Sequence, residues 1–432
     1  MKKPSELYTA TTRFSDWMMK QPHWRQLFET ALHAHHSLLI ESAGDQVDTF
    51  LQGLTEPMQD MVFGAAVEEM MTRHFDDLEY TNPVDEFDKR RGWRETAPVR
   101  RYFSALRDSA MSLYEVEKCQ PGQYLVVRDL IRGGAPITVH ERSASQQLVQ
   151  FSRFAGRVLF HLDRHVFSGI LFPYDIETAE SLRLSISALC QSLVETGQIK
   201  TPHIALQRCA SLFTGTWLVT VTKNIAQSPT LYNHDGDLMQ VNQSRFPLKV
   251  STEEIADALN QCPDLTPHGK SEWAWSTAPL QQTSQLETVL VARFKLSNSH
   301  LLMETNSLAR RERGKALLQQ ILATQVNLSA GLSEMLPTPQ LNFGRASQEP
   351  VSDDTIDAIL QFKDRHYRAW PDQALPALDG LSAREAAKRA DYRERVILLL
   401  KEMTSMELTQ AKGDGGQPYD FTWLWQELKL PQ

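Results

Sequence analysis

Three histidines crowd the run His33-Ala34-His35-His36, with Glu29 four residues ahead of the first. On a helix Glu29, His33 and His36 fall at i, i+4 and i+7 and share one face. Imidazole and carboxylate on a common face are reasonable ligands for zinc, iron or nickel. That face lies opposite an apolar stripe running through Trp24, Phe28, Ala31, His35 and Leu39, so a solvated polar surface is the simpler expectation. Glu29, His33 and His36 are the weak metal candidates, and His35 is expected to pack on the apolar side. A second polar run, Phe160-His161-Leu162-Asp163-Arg164-His165-Val166, would serve a catalytic triad only with a serine or cysteine beside it in space. A polar turn between two strands explains it equally. Asn233-His234-Asp235-Gly236-Asp237 has half the carboxylates of a calcium loop and no closing glutamate. Its Asp-Gly pair between apolar flanks predicts a hairpin turn.

Basic residues form the other candidate chemistry. Between Asp88 and Arg107 stand Lys89, Arg90, Arg91, Arg94, Arg100, Arg101 and Arg107 against two acids, a net of +5. Residues 1–80 ahead of them carry thirteen acids and six bases. The reversal predicts either a basic segment folded back onto acidic helices or a surface for an anionic partner, and neutralisation within the chain is the simpler reading. Trp93, Tyr102 and Phe103 are interleaved with these cations, a composition suited to stacking on single-stranded nucleic acid and equally to core anchoring. Arg310 and Arg311 open a helix that Thr305, Asn306 and Ser307 can cap. Arginines at a helix start can hold a phosphate, against the plainer expectation of a solvated charged face.

The elements that must position these residues read as α+β. Helices are expected from about Gln21 to Tyr80, the second opened by Thr55 as cap with Pro57 in its first turn. Five short strands between Ser112 and Tyr174 predict a small antiparallel barrel or meander. Ala179–Glu195 reads as helix, and Leu206–Lys223 mixes helix and strand character. Ser251 and Glu254 have capping-box spacing. Thr288–Lys295 and His300–Thr305 read as a hairpin leading into a helix over Ser307–Gln325. The expected parts are a helical amino-terminal part (1–110), a β-rich barrel (111–175), a mixed α+β part (176–326), a linker (327–352) and a helical carboxy-terminal module (353–432). A flexible stretch is expected at Gly413–Gly416. The tail after it offers Phe421, Leu424, Trp425 and Leu428 as a helical anchor set for a partner groove.

Composition excludes several classes. The 432 residues are 41% hydrophobic and 23% charged, with a net charge of −8, so the chain as a whole does not favour a polyanion. Its four cysteines are irregularly spaced without a C-x-x-C pair, and are expected to be separate reduced thiols. Phosphate-binding, dinucleotide, zincin and nucleophile-elbow motifs are absent. No apolar window approaches the ~18 residues of a membrane span, and no leader is visible, so a cytoplasmic chain without membrane contact is expected.

Near the carboxy terminus Trp370, Pro376-Ala377-Leu378, Gly380 and Ser382-Ala383-Arg384-Glu385-Ala386 resemble the toxin-binding segment of Xre/ParS-type antitoxins, over roughly 40 residues. With Ser112–Ser145 and Leu301–Leu318, the chain also resembles uncharacterised bacterial proteins related to SEC-C-motif proteins. The zinc-binding cysteines of that motif are absent here, so no zinc is implied. Together with the missing catalytic motifs and the charge reversal, the resemblance points to a non-enzymatic binding or adaptor protein. Trp370, Pro376, Leu378, Gly380, Arg384 and Glu385 would engage a protein partner, and Lys89, Arg90, Arg91, Arg94, Arg100, Arg101, Arg310 and Arg311 would supply nucleic-acid contact. No cofactor is expected. The alternatives are a metal-dependent hydrolase or nuclease and a nucleic-acid-binding regulator.

Overall fold

The computed structural model describes residues 6–75, 78–227, 233, 235–237, 239, 242–269, 271–278, 288–297, 299–322, 326, 332–335, 353–414 and 416–431. It is α+β and divides into two compact units, residues 1–226 with 347–432, and residues 227–346. The boundaries expected near 110 and 175 fall inside the first unit.

Six helices open the first unit: α1 (Glu6–Met19), α2 (Pro22–Ala43), α3 (Val47–Gly53), α4 (Glu56–Thr72), α5 (Pro83–Arg91) and α6 (Ala97–Arg107). The α2 stripe is buried as its spacing requires, through Trp24, Phe28, Ala31, His35 and Leu39. Phe14, Trp17, Phe87 and Phe103 join it in an aromatic core. At the start of α4, Pro57 sits in the first turn, but the Thr55 side chain makes no capping hydrogen bond, contrary to expectation. Asn82 caps α5 instead, accepting from Val84 N while its amide donates to Met71 O and Arg73 O.

The barrel follows: β1 (Ser112–Gln120), β2 (Tyr124–Asp129), β3 (Ile137–His140), the short α7 (Arg142–Gln147), β4 (Arg153–His161) and β5 (Arg164–Tyr174). The strands close in the order β1-β2-β3-β5-β4. An antiparallel barrel was expected from the sequence, but β3 and β5 run parallel, with Val139 opposite His165. The long β1 serves two neighbours, β4 at its start and β2 towards its end, and a register irregularity after Val116 turns it between them. Tyr114, Val116, Leu125, Val127, Val139, Phe154 and Phe167 fill the interior, and Ala144 of α7 packs among them.

Next come α8 (Ile176–Glu195), α9 (Pro202–Gln207) and α10 (Ala210–Gln227). The stretch 206–223, of mixed character in sequence, is helical apart from a short break before Ala210. Burial overrides the strand preference of its β-branched residues. Thr220 and Thr222 bond back to Thr216 O and Leu218 O, the carbonyls one turn behind.

The second unit is a six-stranded sheet with two helices: β6 (Asn242–Pro247), α11 (Thr252–Asn260), β7 (Leu265–Pro267), β8 (Glu272–Thr277), β9 (Val289–Leu296), β10 (His300–Thr305), α12 (Leu308–Leu322) and β11 (Leu332–Met335), in sheet order β11-β6-β10-β9-β8-β7. Phe246, Trp273, Phe294, Leu301 and Met303 meet Ile255, Leu259 and Leu318 in its core. The expected hairpin is β9–β10, and Ser251 caps α11 by accepting from Glu254 N. The expected linker is partly sheet: residues 332–335 pair antiparallel with β6. The remainder of 327–352 lies outside the described residues.

The chain returns to the first unit through α13 (Asp353–Ala369), α14 (Ala383–Ala386), α15 (Ala390–Asp414) and α16 (Thr422–Glu427). The capping box is complete: Ser382 Oγ accepts from Glu385 N, and Glu385 accepts from Ser382 N. Substituting Ser382 by alanine is expected to cost about 1 kcal/mol in chemical denaturation. The stretch expected to be flexible is helical through Asp414, and Gly415 lies outside the described residues.

Candidate nucleic-acid interface

The metal candidates do not converge. Glu29 is exposed and lies 3.9 Å from Arg25, while His36 Nδ1 is 2.9 Å from Leu32 O, inside its own helix. Among the described residues no group of three or more His, Cys, Asp or Glu could hold a metal ion. His35 is fully buried, as its place on the stripe requires.

Carboxylates neutralise much of the basic segment. Arg90 pairs with Glu86 at 2.8 Å, Arg100 grips Asp88 at 2.7 Å, and Arg107 pairs with Asp85 and Asp108. Glu95 is taken by Arg13 of α1, and Thr96 donates to Glu6, so the start of α6 is tied to α1 without neutralising a cation of the segment. Four cations are left without an ion-pair partner among the described residues: Lys89, Arg91, Arg94 and Arg101. Lys89 and Arg90 lie over the Tyr80 ring, and Arg94 lies 4.7 Å over the ring of Trp93. Trp93 is 75% exposed, whereas Tyr102 and Phe103 are core anchors. A hollow of about 350 Å³ opens between α5 and α6, with Asp88, Arg100, Arg101 and Arg107 at its walls and Phe87 and Phe103 beneath.

This segment meets the barrel at the tip of the β4–β5 hairpin. The Tyr102 ring stands edge-on to His161 at 5.7 Å, and its hydroxyl donates to Ser168 O at 2.9 Å. Burial, with the charges of Arg164 and Arg101, holds the His161 imidazole below its usual value. The two-residue turn Leu162-Asp163 has positive φ at both positions, 46° and 65°. Such a turn carries the strand twist through the reversal. It leaves Phe160 62% exposed and Leu162 47% exposed. Phe160 packs against His165 at 5.2 Å. His165 lies opposite Val139, the neighbour of His140, and His140 meets Tyr124 of β2 at 6.5 Å. Two ring pairs thus lie on the barrel, Tyr124 with His140 on β2 and β3 and His165 with Phe160 on β5 and β4, and Arg164 stands next to His165 in β5. His161, Asp163 and His165 are therefore the polar hairpin rim expected from sequence. Its exposed phenylalanine was legible only as one apolar residue in a strand.

Arg310 cannot meet a phosphate. It is 2% exposed and donates to Asp235 at 2.8 Å, to Leu290 O and to Asn306. Arg311 is paired with Glu312 at 2.9 Å. The reason is the 233–237 turn, in which Asn233 Oδ1 accepts from Asp235 N and Asp237 N. That turn, closed by Asn233 N donating to Asp237 O and Gly236 N to Asn233 O, presents Asp235 to Arg310 and Arg313; His234 and most of the flanks of the expected hairpin lie outside the described residues.

The carboxy-terminal candidates are spent mainly on folding. Leu378 is fully buried, Glu385 closes the capping box, and Gly380, at φ 84°, completes the turn after Asp379. Arg384 bridges Asp372 and Glu427. Trp370 is half-buried, and Pro376 is exposed. The tail is not a free anchor set: Phe421, Leu424, Trp425 and Leu428 are buried in the module's own core. Phe151 of the barrel joins that core, and Lys401 donates to Glu115 of β1 at 2.6 Å.

Two sulfurs come together that spacing did not pair, those of Cys190 and Cys209. No helix of the described residues is long and apolar enough to cross a membrane. Among curated proteins none matches the chain. Residues 75–196, which take in α5, α6, the whole barrel and α8, match the model of a family of unknown function, DUF7986.

Proposed function

We propose that the chain is a non-enzymatic binding protein that holds single-stranded nucleic acid across its barrel and the basic helix pair ahead of it. The observation that carries this reading is a pair of ring contacts on the barrel surface, exposed Phe160 with half-buried His165 and exposed His140 with half-buried Tyr124, together with the unpaired cations Arg164, Arg101 and Arg94 and exposed Trp93. Rings give bases a sequence-tolerant stacking platform, and unpaired cations follow the phosphates. The barrel supports it independently. Its strand order, its parallel β3–β5 pair and its helix between β3 and β4 match the oligonucleotide- and oligosaccharide-binding arrangement. Such barrels use the β2–β3 face and the β1–β2 and β4–β5 loops. Fold alone assigns no ligand, so the side chains decide between the two classes.

Fluorescence anisotropy with a labelled single strand of about 16 nucleotides tests it. Five unpaired cations (Lys89, Arg91, Arg94, Arg101 and Arg164) predict that log K falls with log salt at a slope of roughly −3.5. Binding with a flat salt response, or binding of oligosaccharide alone, would remove this reading. A second reading, a protein partner on the carboxy-terminal module, is favoured by exposed Pro376 and half-buried Trp370 at the edge of a turn. Nuclease-resistant co-purification of a stoichiometric protein, lost in Trp370→Ala, would support it.

A further inference from the structure

Cys190, near the end of α8, and Cys209, the residue before α10, stand with their sulfurs 3.8 Å apart. Both are free thiols, and both are buried, at 7% and 1% exposure. They are 19 positions apart in the chain, so the contact bridges separate helices. The nucleic-acid reading makes no use of them. Their surroundings are apolar: Ile186, Leu206, Phe213 and Trp217 belong to the same core. Two thiols meeting in such a core, with no third ligand group beside them among the described residues, suit redox chemistry better than metal binding.

We infer that Cys190 and Cys209 are a dithiol couple that hydrogen peroxide converts to one disulfide and an external dithiol restores. Peroxide is close to water in size, which suits a pair that larger disulfides would reach only after local opening. Cys190 is the more exposed of the two. Either sulfur can donate across the 3.8 Å contact, and the Cys209 thiol also reaches Ala205 O at 3.3 Å. Cys190 attacks first, as its thiolate, because peroxide reaches the more exposed sulfur first. Its sulfur bonds to one peroxide oxygen as the O–O bond breaks, giving sulfenic acid and, with the thiol proton, one water. The Cys209 sulfur then attacks the Cys190 sulfur. The S–S bond forms, the S–O bond breaks, and the departing hydroxyl leaves as a second water with the Cys209 proton. The two thiols lose two electrons, and the peroxide takes them up. The sulfurs must close from 3.8 Å to about 2.05 Å, a movement within reach of side-chain rotation.

The test treats the full chain with limiting peroxide, alkylates remaining thiols in denaturant and maps peptides by mass spectrometry. The expected result is a loss of two hydrogens in intact mass and a cross-linked peptide joining Cys190 to Cys209. Dithiothreitol should reverse both, and the oxidised form should show a raised thermal midpoint. Cys119 and Cys262 are more exposed and serve as internal controls. The inference is overturned if these two oxidise while Cys190 and Cys209 remain alkylatable, or if Cys190 stops at sulfinic acid. Cys190→Ser should leave Cys209 alkylatable after the same treatment. If that variant does not fold, mapping of the unaltered chain decides alone.

Discussion

Glu68→Ala is expected to lower the unfolding free energy by roughly 3–5 kcal/mol, read from the shift of a urea or guanidinium transition. Glu68 lies on α4 where the helix meets the barrel. It accepts from Arg157 Nε of β4 at 3.2 Å and from Ser168 Oγ of β5 at 3.1 Å. Burial pushes its carboxyl above the usual value, and Arg157 opposes that shift. Arg157 is fully buried, and its two terminal nitrogens have no hydrogen-bond partner. Removing Glu68 would strand a guanidinium that cannot shed its proton. Nearby, Glu69 also acts on the Arg157 charge, but it is already engaged by Arg73 at 3.2 Å and lies 2.9 Å from His35 Nε2. A loss of that size is a large share of the ~5–15 kcal/mol that holds most domains. Replacing Glu68 and Arg157 together by leucine and methionine should restore much of it, because no charge is then left alone. A Glu68→Ala variant within about 0.5 kcal/mol of the parent would show that the pair does not hold helices and barrel together.

Trp93→Ala should weaken single-strand binding by roughly 5- to 150-fold, the span of one base–aromatic stack. The fold should be unaffected, because the ring is 75% exposed and its neighbour there is Arg94. Arg101→Gln should act differently. It removes one phosphate contact and should reduce the magnitude of the salt slope by about 0.7 while leaving the sequence preference alone. Arg90→Gln and Arg100→Gln are the contrast, since Glu86 and Asp88 already neutralise those residues. Equal losses from Arg90 and Arg101 would mean that net charge alone governs retention. No loss from Trp93 would take stacking out of the interface.

That contrast marks where sequence reasoning stops. The charge reversal near residue 88 was legible, and so was the expectation that acidic neighbours would answer it. Which arginines were answered depended mainly on distances between turns of α5 and α6 that linear order does not contain. Leu378, Arg384 and Glu385 were expected from the sequence to contact a partner. In the folded module they are a core residue, an internal bridge and a cap.

From sequence alone came the α+β class, the apolar stripe of α2, all five barrel strands, the β9–β10 hairpin and the caps at Ser251 and Ser382. Each depends on periodicity or on hydrogen bonds within a few residues, so the neighbouring letters suffice. Tertiary structure alone decided the rest. It paired Arg310 with Asp235 across 75 positions, closed the barrel through a parallel β3–β5 contact, buried the tail and brought Cys190 beside Cys209. Each of these is a long-range contact chosen by what must be buried or neutralised once the elements pack, and no local pattern encodes it.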